Sequence, residues 1–132
     1  MDSPISTKAP SPEAVDALYA AGHWLFEQGR CEDAGRLFRA HVLAAPMDER
    51  AWLGLGASEA HAGRTSNALK VYAMGAMAIP RGAHCCLAAA RLMAAGGERE
   101  GALAAFDRAQ EIAEVSGDDE LLEEILAARR RA

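Results

Sequence analysis

The chain has 132 residues, which is enough for one domain with a buried core, and 51% of them are hydrophobic. Its net charge of -5 and the lack of a concentrated basic face argue against a nucleic-acid-binding protein. Aromatic residues make up 5% of the chain and runs of valine, isoleucine and threonine are missing, so alanine, leucine and glycine carry the packing and the sequence predicts an all-α fold.

The N-terminal segment differs in composition from the rest. Its prolines, serines and threonine show no apolar period, which predicts a flexible arm over residues 1–11 without the features of a signal peptide. No stretch approaches the roughly 18 apolar residues of a membrane span, so we expect no direct membrane insertion. Three cysteines, of which Cys85 and Cys86 are adjacent, are unlike a disulfide framework and favour a cytoplasmic protein.

Two helices are predicted directly after this arm. Ser11 can cap the first helix and Pro12 suits its first position. Gly29 then turns the chain into a second helix, which Pro46 ends.

Four further helices follow in the same way. Asp48 and Thr65 are predicted to cap the third and fourth helices, and Pro80 ends the fourth. The fifth and sixth cover about 83–95 and 100–113.

A period of 34 residues links these helices. A glycine, an alanine and an aromatic four residues after the alanine recur in register, at Gly29, Gly63 and Gly97, at Ala34, Ala68 and Ala102, and at Phe38, Tyr72 and Phe106. This period and content are typical of the tetratricopeptide repeat, a helix-turn-helix unit that stacks on its neighbours.

The pattern predicts three domain segments. After the arm, residues 12–116 form three repeats, at about 15–48, 49–82 and 83–116, whose six antiparallel helices build a short right-handed solenoid. Residues 117–132 form a C-terminal capping helix that hides the last apolar face from water.

Small residues inside the first helix of each repeat predict close packing. Glycine in a helix costs about 0.5–1 kcal/mol relative to alanine, so Gly22 and Gly56 need a compensating reason. Close approach of the two helices of a repeat supplies one, and Ala90 is the equivalent in the third repeat. Trp52 and the three periodic aromatics are predicted to pack between helices.

The first helices of the repeats are expected to form the inner wall of a groove. The residues predicted to face it are Tyr19, His23, Phe26, Arg50, Leu53, Ala57, His61, His84, Leu87 and Arg91. This mixed apolar surface suits an extended peptide with spaced aliphatic side chains. The alternative is that Tyr19, Phe26, Leu53 and Leu87 are ordinary half-buried residues.

Chemistry is not indicated elsewhere. No combination of nucleophile, base and orienting group and no phosphate-binding glycine motif is found, so we expect no enzyme. Cys85, Cys86 and His84 lack the spacing of a metal motif, and His23 and His61 have no obvious carboxylate partner. We therefore predict neither a metal site nor a cofactor.

One set of motifs is shared with a known family. It consists of Leu18-Tyr19, Gly29 with Glu32-Asp33-Ala34 and Leu37-Phe38, Trp52-Leu53-Gly54-Leu55-Gly56-Ala57, Tyr72 with Gly75-Ala76, and Ala88-Ala89. In these, over about residues 15–113, the chain resembles the class II chaperones of bacterial type III secretion. It differs from them at His23 and Ala57, where aromatic residues are common.

The resemblance implies a chaperone in the bacterial cytosol that prevents two membrane-inserting translocator proteins from aggregating or associating too early. In the family, an extended segment near the client's N-terminus, with hydrophobic anchors and a proline, lies in the groove. By analogy, its contacts would be Tyr19, His23, Phe26, Leu53, Ala57 and Leu87. The resemblance also implies a weak homodimer formed through the N-terminal region and first repeat.

Two other partners were considered. An adaptor for the acidic tail of a heat-shock chaperone needs a clamp of lysines and asparagines, and Asn67 is the only asparagine in the chain. A regulatory role through binding to a transcription activator is compatible with the sequence.

Overall fold

Seven α-helices make up the computed structural model, which describes residues 9–132. Most of the predicted arm, residues 1–8, lies outside this part of the chain. The helices are α1 (Pro12–Glu27), α2 (Cys31–Ala44), α3 (Glu49–His61), α4 (Thr65–Ala78), α5 (Ala83–Ala95), α6 (Arg99–Ser116) and α7 (Asp119–Arg131). In residues 9–132, no helix has the length and apolar character needed to span a membrane.

The helices stack in chain order and the stack is curved. Each helix packs against the next, and α1, α3 and α5 also contact one another in sequence. Within the described chain, α2, α4 and α6 make no comparable contacts with one another. The odd-numbered helices therefore line the inner wall, and the prediction of an all-α repeat fold with a C-terminal helix is confirmed.

Glycines form the tight turns inside each repeat. Gly29, Gly63 and Gly97 have φ angles of 77°, 83° and 79°, a left-handed conformation that side chains with a Cβ atom rarely adopt. The 34-residue period in glycine is therefore a period in backbone geometry.

Two of the three predicted helix caps form, and one prediction is wrong. The Ala14 N–H donates to Ser11 Oγ at 3.1 Å and the Arg50 N–H donates to Asp48 Oδ1 at 3.2 Å. Thr65 is not a cap, because Arg64 occupies that position and makes no side-chain capping bond. The left-handed turn at Gly63 brings the chain into the helix one residue earlier than the threonine suggested.

Helix α6 also runs three residues further than predicted, to Ser116 instead of residue 113. The first two repeats have a proline near this position, at Pro46 and Pro80, whereas the third has Glu114. With no proline to interrupt its hydrogen bonds, α6 continues to Gly117, which ends it at a φ of 70°.

Aromatic rings of α2 and α4 lie directly against glycines of the odd-numbered helices. A Cβ atom on Gly22 would be 3.0 Å from the Phe38 ring, and one on Gly54 would be closer still. A Cβ on Gly56 would collide in the same way with Tyr72. The close approach predicted at Gly22 and Gly56 is confirmed, and Gly54 is a third such position.

The last three helices share one apolar core. It includes Leu87 and Ala90 of α5, Phe106 of α6, and Leu121 and Ile125 of α7. Because Phe106 and Ile125 are fully buried, α7 is an integral part of the stack.

We predict that Gly56→Ala lowers the free energy of unfolding by about 1–2 kcal/mol, although alanine favours the helix by up to about 1 kcal/mol, because the new methyl group must displace Tyr72. Gly35→Ala is the matched control, since its Cβ would be 3.7 Å from the nearest atom outside its own helix backbone, Ser58 Cβ. That variant should be neutral or stabilised. Urea unfolding followed by circular dichroism measures both, and equal effects would contradict the packing argument.

Candidate functional site

The inner wall contains a cleft between α1 and α3, which we call the aromatic cleft. Its volume is about 220 Å³. It is lined by six of the ten predicted groove residues, namely Tyr19, His23, Phe26, Arg50, Leu53 and Ala57, together with Glu27, Phe38 and Gly54. The first two repeats thus bring together the residues that sequence analysis placed on one face.

Sequence analysis missed the floor of this cleft. Phe38 was predicted only as a packing residue, yet its ring also lines the aromatic cleft. Gly54 leaves this ring uncovered, because any side chain there would occupy the space of the ring. The signal was the paired glycine of Leu53-Gly54-Leu55-Gly56, of which only Gly56 was interpreted as a packing residue.

Both groove histidines lie against aromatic rings. The His23 ring stacks on Tyr19 with 5.7 Å between centroids, and its Nε2 atom is 3.6 Å from Glu27 Oε1. His61 packs edge-on against Phe26 at 4.8 Å. These contacts make His23 and His61 part of a continuous ring surface rather than a shared site.

Arg50 carries the main charge at the aromatic cleft, and this charge is neutralised within the protein. Its Nη2 atom lies 2.7 Å from Asp48 Oδ2 and 3.0 Å from Asp16 Oδ1. The guanidinium also lies over the Tyr19 ring, 4.5 Å from the centroid. Arg50 therefore orients Tyr19 and leaves the cleft predominantly apolar.

Asp48 is the centre of this network. Its carboxylate accepts hydrogen bonds from Arg50 and lies 2.9 Å from Nε2 of the buried His41. The hydrogen bond from Arg50 is the main reason that the pKa of Asp48 falls to about 2, although partial burial opposes the shift.

His84 of α5 is used in a contact between repeats. Its Nδ1 atom is 3.1 Å from Glu49 Oε1, and Glu49 Oε2 accepts from the Cys85 N–H at 3.0 Å. The hydrogen bond to Glu49 raises the pKa of His84. Burial alone would raise the pKa of Glu49, but hydrogen bonds from His84 and Cys85 outweigh it and lower that pKa.

Leu87 differs from the groove prediction. Only 2% of the residue is exposed, and it belongs to the core shared by α5, α6 and α7. The packing of α7 accounts for this, because Leu121 and Ile125 belong to the same core. An open groove position is therefore wrong for Leu87 in this conformation.

Arg91 is exposed but does not line the aromatic cleft. Its Nη2 atom is 3.2 Å from Glu124 Oε1 of α7, and it borders a separate hollow near the C-terminal end of the stack. The ten predicted residues are therefore divided between the aromatic cleft with its neighbour His61, the contact between repeats, the core and this second hollow.

Across residues 9–132, no group of three or more histidine, cysteine, aspartate and glutamate residues is arranged to hold a metal ion. Cys85 and Cys86 are buried, and burial raises the pKa of both thiols.

Comparison with solved structures identifies relatives of this fold. The type III secretion translocator chaperone SycD of Yersinia enterocolitica superposes with a TM-score of 0.81 at 25% identity, over 92% of each chain. PcrH of Pseudomonas aeruginosa, bound to the chaperone-binding region of PopB, gives 0.77 at 27% identity over 92% of this chain and 98% of PcrH.

SycD in complex with a peptide of the translocator YopD gives a TM-score of 0.69 at 27% identity, over 90% of this chain and 97% of SycD. SycD has also been solved as an alternative dimer. No family model and no curated protein sequence matches the chain. The resemblance to the translocator chaperones is confirmed at the level of the whole structure.

We predict that Asp48 stabilises the protein in a pH-dependent way. Its pKa of about 2 in the folded state is below its model value of 3.8, so its stabilising effect is complete above about pH 4 and is lost as the pH falls through 2. The difference in free energy of unfolding between the wild type and Asp48→Asn should therefore shrink over this range, as measured by urea unfolding at a series of pH values.

Arg50→Gln provides a second comparison for this prediction. It removes the main hydrogen bond that lowers the pKa of Asp48, so its stability should also depend less on pH between 4 and 2. A difference between wild type and Asp48→Asn that stays constant from pH 5 to pH 2 would contradict the assignment.

Proposed function

We propose that this chain is a cytoplasmic chaperone of a bacterial type III secretion system, and that its aromatic cleft binds translocator proteins before their export. The observation that carries the proposal is an apolar cleft on the inner wall of a fold shared with SycD and PcrH, which have been solved with translocator segments bound.

The chemistry of the aromatic cleft suits an apolar anchor on an extended chain. Tyr19, Phe26 and Leu53 provide the apolar walls and Phe38 provides the floor. Because Asp16 and Asp48 neutralise Arg50, the cleft has no free cation with which to select an acidic group at this point. A volume of about 220 Å³ accommodates individual side chains and not a folded domain.

Such binding would protect a client that inserts into membranes. Long apolar segments aggregate when they are exposed to water, and a chaperone that covers part of them keeps the chain apart from other copies. The protein acts by binding alone, without a catalytic step, a metal or a cofactor.

Leu53→Asp is expected to weaken the binding of a translocator peptide by at least tenfold, because it places a charge in the apolar wall of the cleft. The measurement is a fluorescence-anisotropy titration with a labelled peptide from the N-terminal region of a translocator encoded beside this protein. A second peptide, in which the hydrophobic anchors are replaced by serine, should not bind.

The matched control is Leu43→Asp. Leu43 is 80% exposed on α2, away from the aromatic cleft, so the same change there should leave binding unaltered. Wild-type binding by a folded Leu53→Asp variant would exclude the aromatic cleft as the site. Leu87→Asp is unsuitable for this experiment, because burial of Leu87 means that the variant would lose stability.

The homodimer implied by the resemblance has a candidate contact on α1. Trp24 is 58% exposed on this helix, which forms the open end of the described stack. Large exposed aromatic side chains are enriched at protein interfaces. We infer that the chain forms a weak homodimer through the outer face of α1.

Trp24→Glu should shift the protein to a monomer at concentrations where the wild type is partly dimeric, as measured by analytical ultracentrifugation over a dilution series. Met77→Glu is the control, because Met77 is 85% exposed on α4. Unchanged dimerisation in Trp24→Glu would exclude this face, and its peptide binding should remain intact.

A further inference from the structure

A second cleft lies at the other end of the inner wall, between the ends of α5, α6 and α7. It consists of two adjoining hollows of about 300 and 220 Å³ that share Ala94, Phe106 and Ala132. Small apolar residues, including Ala102 and Ala128, form its walls. We call it the arginine-rimmed cleft, after Arg91, Arg99, Arg129 and Arg131, which border it.

The charge of this cleft is opposite to that of the whole chain. Four arginines line it and no aspartate or glutamate does, although the protein has a net charge of -5. Arg91 is paired with Glu124, and Arg129 with Asp107 at 2.6 Å. Arg99 and Arg131 make no ion pair with any residue between 9 and 132, so they are available to a ligand.

The repeat places the arginine-rimmed cleft on the same face as the aromatic cleft. Arg91 lies 34 residues after Ala57 and 68 after His23, and Ala94 has the same relation to Phe26. Positions separated by whole periods face the same way in a stack of repeats. The inner wall therefore changes from an aromatic, locally neutral surface at α1 and α3 to a cationic one at α5 and α7.

We propose that the arginine-rimmed cleft binds an acidic stretch of the same client segment whose apolar anchors occupy the aromatic cleft. This inference rests on the proposed function and adds a second recognition element to it. Arginine binds carboxylates through paired hydrogen bonds, and the alanine-rich walls leave room for a peptide backbone.

The distance between the two clefts defines where the acidic residues should be. One cleft lies between α1 and α3 and the other at α5 and α7, so they are about two helix spacings apart, or roughly 16–20 Å. An extended chain covers about 3.3 Å per residue, so the acidic stretch should begin about five or six residues from the anchors.

Two unpaired arginines favour a peptide over a nucleic acid. Nucleic-acid binding depends on many phosphate contacts along a continuous basic surface. Here the available cations are confined to one small cleft with apolar walls, which matches one or two carboxylates beside apolar side chains.

The test uses the translocator peptide described above in two acidic forms and two neutral forms. One acidic form carries Asp-Glu six residues before the anchors and the other carries it six residues after them, and each neutral form has Asn-Gln at the same place. We expect one acidic form to bind about fivefold more tightly than its neutral counterpart, since exposed ion pairs contribute roughly 0.2–1 kcal/mol each. Its position also gives the direction of the peptide in the groove.

The double variant Arg99→Glu/Arg131→Glu should abolish this preference and leave binding of the neutral peptide within twofold of wild type. The control is Arg81→Glu/Arg130→Glu, which makes the same change in net charge at two exposed arginines that line neither cleft and form no ion pair in the described chain. It should retain the preference.

The outcomes separate the two proposals. Equal binding of acidic and neutral peptides, or equal loss of the preference in both double variants, overturns the arginine-rimmed cleft and leaves the aromatic cleft intact. Competition by polyglutamate as strong as that by the acidic peptide also overturns it, because binding would then depend on charge alone. Failure of every peptide to bind the wild type overturns both proposals.

Discussion

The contact between aromatic rings and glycines determines both the fold and the site. The rings of Phe38 and Tyr72 fill the space that side chains of α3 would otherwise occupy, which is possible only because Gly54 and Gly56 have none. This contact sets how closely α3 approaches α2 and α4. It also leaves the ring of Phe38 as the floor of the aromatic cleft, so packing within the repeat creates the binding surface directly.

Most polar groups of the inner wall hold the repeats together. Arg50 joins α3 to Asp16 of α1, while Glu49 joins α3 to His84 and the Cys85 N–H at the start of α5. Because these charges are satisfied within the protein, the surface between them is apolar. Only the C-terminal end of the wall retains unpaired cations, and this asymmetry gives the groove a direction.

Much of this arrangement could be predicted from sequence, because it follows from period. The glycine turns, the helix order and the face that contains Tyr19 and Leu53 all repeat every 34 residues. Leu87 occupies the same repeat position as Leu53 yet is buried, because α7 packs where a groove would otherwise remain open. The pairing of Arg50 with two carboxylates also depends on side-chain conformations that a periodic pattern does not contain.

The neighbours Gly54 and Ala57 on α3 have unequal tolerance for change. Gly54 cannot gain even a methyl group without displacing Phe38, whereas Ala57 lines the aromatic cleft and is only partly buried. Substitutions at Ala57 would alter the depth of the cleft and leave the contact between ring and glycine in place. Preference for a client and stability of the scaffold are therefore encoded at separate positions less than one helical turn apart, so one can diverge during evolution while the other is maintained.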